Sequence, residues 1–361
     1  MTEEQTQPRF YFYLKNGKPE VTLTFEPESH TYFRVMPNGD SIPQDNVTSV
    51  LHGALDKSMY LTAWAAKMAV EKMFRVMPRN ADNPEMTAAV PLSEFRILLE
   101  ESKKAHKEKL TDAGECGTAA HQCIEDSINA AIKLKKYSEQ SPQVEGAIVE
   151  ELLNLPEDPR ALNACNAALS WMRSHNVRWL RTERKIFSLK YSYCGTLDGL
   201  CIVDACNNVL CCAEKFKDRL SVADWKTSNQ MSIDYLYQTA AYEAAYEEEF
   251  DVDIKDRWIL RLGKEDGEFG EPWHLTAADF ADDFKAFLYC LALVRQHKSV
   301  TARMSERGKL RTKSRRTAKA SEKQIAEEQE RLQKALAKEE GRLAKLAAKT
   351  AADEEKFFAK L

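Results

Sequence analysis

Two short stretches carry residue types suited to hydrolytic chemistry. In Gly195-Thr196-Leu197-Asp198-Gly199-Leu200 an acid stands at the start of an apparent strand; in Ala223-Asp224-Trp225-Lys226-Thr227-Ser228 an acid and a lysine flank a tryptophan on another. Alternate side chains of a strand share a face, so Asp224 and Lys226 point one way and Trp225 the other. Asp198, on a neighbouring strand, could meet Asp224 across the sheet. Carboxylates are hard donors that suit Mg²⁺, which keeps several waters and takes carboxylates together with substrate phosphate. A cation held there would lower the pKa of a bound water, and Lys226 could orient that water or offset developing charge. This is the chemistry of phosphodiester hydrolysis. Each fragment alone has an ordinary reading, a turn for GxxDG and a surface ion pair for D-x-K.

Two further elements add to them. Gly117-Thr118-Ala119-Ala120-His121 is followed by Glu125, so His121 and Glu125 lie about one helical turn apart on a shared face, with small residues packing near a helix start. Gln238-Thr239-Ala240-Ala241-Tyr242 repeats the same i, i+4 spacing just after Lys226, suited to holding a phosphate or nucleotide. A lone helical histidine is more often structural, and Tyr235, Tyr242 and Tyr246 could simply be core aromatics.

In this order, Gly117…His121, Gly195…Asp198, Asp224…Lys226 and Gln238…Tyr242 resemble the PD-(D/E)XK nuclease superfamily. Within it they resemble the RecB-like branch, with GxxxH on a helix, GxxD and (D/E)xK on strands, and QxxxY on a helix. The matched region covers about residues 115–262. The resemblance implies an α/β, restriction-endonuclease-like mixed central sheet flanked by helices, and a Mg²⁺- or Mn²⁺-dependent deoxyribonuclease. It implies that His121, Asp198 and Asp224 ligate the metal, that Asp198, Asp224 and Lys226 are catalytic, and that Gln238 and Tyr242 support the site. Glu125 joins that supporting set and Glu183 is a weaker candidate, neither at a secure family position. His30-Thr31-Tyr32 and Val47-Thr48-Ser49-Val50-Leu51 are similar to the opening of phage-encoded exonucleases of this branch. Exonucleolytic action on DNA in recombination, replication or end processing is then expected, with a recombination protein as a further partner. The expected setting is a bacterial or phage-infected host cytosol. An endonuclease with the same site is the near alternative, and an inactive DNA-binding or adaptor protein the alternative of another class. One departure from the pattern is the 25 residues between Asp198 and Asp224, more than a hairpin needs.

The positioning elements can be read from pattern. Strands are expected over 9–14, 21–25 and 30–35, with turns at Asn16-Gly17 and Pro37-Asn38-Gly39-Asp40. The β-branched run 47–51 could be a strand or a helix entry. Helices are expected over 58–74, 93–111, 117–134 and 158–174, with a loop at 78–92. Then come strands over 184–189, 195–203 and 220–227, a helix over 233–249, a strand over 257–262 and a helix over 277–297. This gives an N-terminal β-hairpin and helical extension (1–114), a nuclease core (115–300), and a basic linker with a charged helical tail (301–361).

Charge is unevenly spread. Residues 301–361 carry a net +7 and the preceding 300 residues −11; nine basic and two acidic residues lie between Arg303 and Lys323. A basic tail of this kind is read as meeting nucleic acid or as a solvated linker. Ile325, Leu332, Leu336, Leu343 and Leu346 could form a seam for oligomerisation or one side of a lone helix. With 43% hydrophobic residues the chain can bury a core, yet it has no eighteen-residue apolar run and starts with polar Met1-Thr2-Glu3-Glu4-Gln5. A membrane span and a secretory signal are therefore not expected. The nine cysteines contain no CxxC and read as reduced thiols. Some members of the resembled branch hold an iron–sulfur cluster on one early and three late cysteines. Cys201, Cys206, Cys211 and Cys212 lack that arrangement, and buried thiols are a better account of them than a cluster or a zinc site.

Overall fold

The computed structural model describes residues 9–15, 18–80, 87, 89–138, 144–208, 211–212, 214–268, 270 and 272–358. The chain divides into two units, Met1–Val294 and Arg295–Leu361.

The first unit opens with four antiparallel strands, β1 (Arg9–Lys15), β2 (Lys18–Glu26), β3 (Thr31–Val35) and β4 (Ser41–Pro43), paired in that order. The Asn16-Gly17 turn lies outside the described residues. The next turn is seen, with Gly39 at φ +88°, a left-handed value that glycine adopts without a Cβ clash. Strand β5 (Asp45–Asn46) then leads into helix α1 (Val47–Ala54). The β-branched run resolves as helix because Asn46 caps it, its side chain accepting from Ser49 N at 2.7 Å.

Helices α2 (Ser58–Val76), α3 (Leu92–Ser102) and α4 (Ala105–Ser138) follow. Part of the expected 78–92 loop is not described. Helix α4 starts twelve residues earlier than the sequence suggests, so Gly117 and His121 lie in mid-helix and not near a helix start. The Thr111–Gly117 stretch, despite Gly114 and Gly117, continues the helix because α4 buries an apolar stripe of Cys116, Ala120, Cys123, Ile124, Ile128 and Ala131. Strand β6 (Val144–Glu145) and helices α5 (Gly146–Glu151) and α6 (Pro159–Ser174) come next. Asp158 caps α6 and Pro159 occupies its first turn.

The core sheet is built by β7 (Arg178–Ser188), β8 (Tyr193–Val203) and β9 (Arg219–Lys226), an antiparallel meander. Asp198 is therefore the sixth residue of its strand and not at its start. Helix α7 (Asp234–Phe250) crosses over to β10 (Asp256–Arg261), which pairs parallel to β9; β11 (Trp273–Thr276) adds antiparallel at the edge. The seven-stranded sheet runs β11-β10-β9-β8-β7-β6, with β5 pairing parallel to β8.

One face of this sheet packs against α4 and α6 around Trp171, Trp179, Trp225 and Trp258, whose ring centroids stand 5.5–6.4 Å apart in four pairings. The other face packs against α1, α7 and the start of helix α8 (Ala277–Phe358), through Val47, Tyr193, Val222, Tyr246 and Phe287. The architecture is thus mixed α/β with a central sheet between helical layers.

In the second unit residues 295–358 are helical. The basic stretch 301–320, expected as a linker, is helix as well. Its Lys, Arg, Ala and Glu residues are good helix formers, which outweighs the scarcity of apolar anchors. Among the described side chains from 295 onward none is buried. Of the seam residues, Ile325 is exposed and the four leucines have side chains outside the described set. Among the described residues, no helix is long and apolar enough to cross a membrane.

Candidate metal centre

Gly199 pairs with Ala223 across β8 and β9, so Asp198 and Asp224 are the next residues along neighbouring strands. Alternation on β9 sends Trp225 into the α4/α6 layer and Val222 into the opposite one. Asp224 is fully buried and Lys226 nearly so, with Lys226 Nζ 2.5 Å from Asp224 Oδ2. Despite that short ion pair, neither Asp224 oxygen accepts a well-directed hydrogen bond among the described residues. The neighbouring Asp198 is partly oriented by the backbone, its Oδ2 accepting from Trp225 N at 3.1 Å.

Helix α4 brings His121 to the same place, with Nδ1 4.0 Å from Asp198 Oδ2. The close approach of helix to sheet depends on Gly117, where a Cβ would sit 2.7 Å from Thr227 Oγ1. Gly195 does the same for α7, since a Cβ there would sit 2.7 Å from Tyr242 Cε1. Both motif glycines are therefore packing requirements of the site. Gln238 Nε2 donates to Tyr242 Oη at 2.9 Å, which joins the i, i+4 pair read from the sequence. The Lys226 ammonium also stands 4.8 Å from the Tyr235 ring centroid, a cation–π arrangement.

Burial sets the electrostatics. It pushes the Asp224 carboxyl up to about 6 against the pull of Lys226, with Asp198 adding to the rise. Burial also raises Asp198, again opposed by Lys226. For Lys226 burial acts downward, but Asp224 and Asp198 together outweigh it and keep the ammonium charged. His121 is lowered to about 4, by desolvation first and Lys226 second. Its side chain keeps 32% of its surface exposed, so crowding and not full enclosure is the cause. A neutral imidazole beside two carboxylates is in the state that can ligate.

The structure brings a third acid in line. Thr182 pairs with Gly199 and Arg184 with Leu197, which places Glu183 opposite Asp198. Glu183 adopts φ +46°, an uncommon left-handed backbone for a side-chain-bearing residue inside a strand. Burial, then Asp198, raise its carboxyl to about 7. The signal for it was in the sequence: a β7–β8 hairpin turning between Ser188 and Tyr193 fixes the register that aligns residues 183 and 198. Glu125 lies one turn along α4, where Asn129 Nδ2 donates to it at 3.4 Å; its charge adds to the rise at Glu183, so it borders the cluster.

A cleft of about 580 Å³ opens over Asp198, Glu183, Gln238 and Tyr242, and residues of the N-terminal segment, His30 and Tyr32 among them, line its other wall. Tyr32 Oη hydrogen-bonds Thr196 Oγ1 and anchors that wall to β8. Thr48 and Ser49, in the first turn of α1, line it too. Asp224 lies beneath, out of solvent contact.

The donor set of two carboxylates and a neutral imidazole fits a hard divalent cation. The fully buried Asp224, paired with Lys226 but without a well-directed hydrogen bond among the described residues, is the feature such an ion would satisfy. No protein-family model matches the chain, and no curated protein matches it either.

Proposed function

We propose that the chain is a Mg²⁺- or Mn²⁺-dependent DNA nuclease with a restriction-endonuclease-like core, acting as an exonuclease. The observation that carries the reading is the convergence of His121 from α4, Asp198 from β8, and Asp224 and Lys226 from β9 around a carboxylate buried without directed hydrogen bonds. The order helix α4, strands β7, β8, β9, helix α7, strand β10 supports the core assignment, with the last strand parallel to β9.

His121, Asp198 and Asp224 would hold the cation, with Glu183 beside them. When bound, the cation supplies a water of lowered pKa and offsets charge on the scissile phosphate. Lys226, positively charged and held by Asp224, orients a nucleophilic water or offsets charge that develops in the transition state. Gln238 and Tyr242 brace the floor of the cleft, and the Tyr242 hydroxyl, kept neutral by burial and the two aspartates, offers a hydrogen-bond donor. Lys185 and the first turn of α1 line the wall along which a sugar–phosphate backbone would run. The basic residues from Arg303 to Lys323 would add nonspecific affinity to an otherwise acidic chain, and cytosolic action follows from the same reading.

The test is degradation of 5′- and 3′-labelled linear DNA against covalently closed circles, with Mg²⁺, Mn²⁺ or EDTA. Metal-dependent loss of linear DNA alone supports the exonuclease; equal cutting of circles moves the reading to an endonuclease. Binding of DNA without cleavage by folded protein moves it to a DNA-binding or adaptor protein.

A further inference from the structure

On the far side of the sheet from α7, the C-terminal end of α6 meets the long β8–β9 connection. His175 is the C-cap residue of α6, and Cys206, Cys211 and Cys212 lie on that connection; all four are buried. One donor atom from each falls within 4.8 Å of every other. His175 Nε2 stands 3.2 Å from Cys211 Sγ and 3.6 Å from Cys212 Sγ, and Cys206 Sγ stands 3.6 Å from Cys212 Sγ. We propose that these four residues form a tetrahedral structural zinc site.

The distances suit the ion. Zinc bonds sulfur at about 2.3 Å and imidazole nitrogen at about 2.0–2.1 Å, so the edges of a Cys₃His tetrahedron are roughly 3.5–3.8 Å. The three separations of 3.2, 3.6 and 3.6 Å lie near those edges, and all six fall within 4.8 Å, close enough to contract onto one ion. A four-iron cluster puts its own cube of iron and sulfide between the thiolates and spreads them wider than this group allows.

The surroundings prepare the histidine for the role. Its Nδ1 lies 3.1 Å from the Trp171 carbonyl and 2.9 Å from Ser174 Oγ. Donation from Nδ1–H to that carbonyl leaves the Nε2 lone pair aimed at the thiols, the outer hydrogen bond that fixes a ligating tautomer. Trp171 and Trp258 ring centroids at 5.4 and 5.0 Å enclose the imidazole in an apolar shell. On the cysteine side, Cys211 N and Cys212 N both donate to Asn208 O, which holds the two adjacent cysteines beside one point. Three thiolates and one zinc leave a net charge of −1. Lys215 Nζ, donating to Cys206 O at 3.1 Å, stands close enough to balance it.

Cys123, Cys165, Cys194 and Cys201 each donate to a backbone carbonyl, as Cys206 also does to Asn208 O at 3.7 Å. What sets Cys206, Cys211 and Cys212 apart is the mutual closeness of their donor atoms and that of His175, which among the described residues the other thiols do not share. Cys201, grouped with the other three by sequence proximity, belongs to that set, and the fourth ligand is His175, 31 residues before Cys206.

Binding displaces three thiol protons to solvent and forms three Zn–S bonds and one Zn–N bond, with no change of oxidation state. Its consequence is mechanical. The ion ties the connection between β8 and β9 to α6, and these two strands carry Asp198 and Asp224. The unusual length of the connection is explained by the ligands it supplies.

The full chain, purified in chelator-free buffer and dialysed, should retain about one zinc per chain by elemental analysis. Replacement by Co²⁺ should give the intense visible bands of tetrahedral cobalt and a thiolate-to-metal charge-transfer band. Cys211→Ser and His175→Ala should lose the zinc, whereas Cys201→Ser and Asp224→Ala should keep it. Should the ligand variants not fold, the cobalt spectrum of the wild-type chain decides alone. Protein with neither zinc nor a thiolate–cobalt band, or full zinc content in Cys211→Ser, overturns the proposal. None of these readouts depends on nuclease activity.

Discussion

In metal-free buffer, Asp224→Asn should become progressively more stable relative to wild type as pH rises through the range between the ordinary carboxyl value of 3.8 and the folded value of about 6. A carboxyl whose folded pKa lies above its unfolded one binds its proton more tightly in the fold. That contribution is fully present below the unfolded value and is lost as pH rises through the folded value. A displacement from 3.8 to about 6, at 1.36 kcal/mol per unit, corresponds to on the order of 3 kcal/mol between about pH 4 and pH 7. Asparagine has no such titration, and Lys226 stays protonated throughout, so its altered pairing shifts the difference by a constant. Asp198 titrates with Asp224 as a pair, so the slope belongs to the two together. Urea unfolding followed by tryptophan fluorescence in EDTA, repeated across this range, gives the difference at each pH. Saturating Mg²⁺ should then stabilise wild type and not the variant, by about 2.7 kcal/mol at a hundredfold excess over Kd. A wild-type-minus-variant difference that stays flat with pH would refute the reasoning that burial, and not the Lys226 charge, governs this carboxylate.

Gly195→Ala should cost about 1–3 kcal/mol and depress cleavage, because the added methyl meets an aromatic ring wedged in the core; Gly117→Ala meets only the rotatable Thr227 hydroxyl and should cost less. Equal urea midpoints for the two variants would contradict this. Trp171→Ala removes the hub of the tryptophan cluster and should lower stability by about 3–5 kcal/mol, measured by urea unfolding. Deleting 301–361 should weaken DNA binding and flatten its dependence on salt, since it removes the concentrated basic charge; an unchanged salt slope in fluorescence anisotropy would leave the tail without phosphate contacts.

The strand pattern around Asp224 was legible because period-2 alternation in Val222-Ala223-Asp224-Trp225-Lys226 assigns each side chain to a layer, and the layers agree. The i, i+4 pairing of Gln238 and Tyr242 was legible for the same kind of reason, as a consequence of helical geometry. The start of α4 was not, since Gly114 and Gly117 mimic a break that tertiary burial overrides. Helix over 301–320 has no apolar periodicity to signal it and rests on the helix propensity of its Lys, Arg, Ala and Glu. Glu183 was only a weak candidate in the sequence, and it is the β7–β8 hairpin register that aligns it with Asp198. His175 gave no spacing signal at all: only the packing of α6 against the β8–β9 connection brings it to the cysteines.

Cleavage of linear double- and single-stranded DNA by wild type, Asp224→Ala and Lys226→Ala, each shown to be folded, in Mg²⁺, Mn²⁺ and EDTA, is the decisive experiment. Metal-dependent degradation by wild type, abolished by EDTA and by either substitution, is the predicted result. Intact DNA after incubation with folded wild-type protein and either metal would contradict a nuclease centred on Asp224 and Lys226.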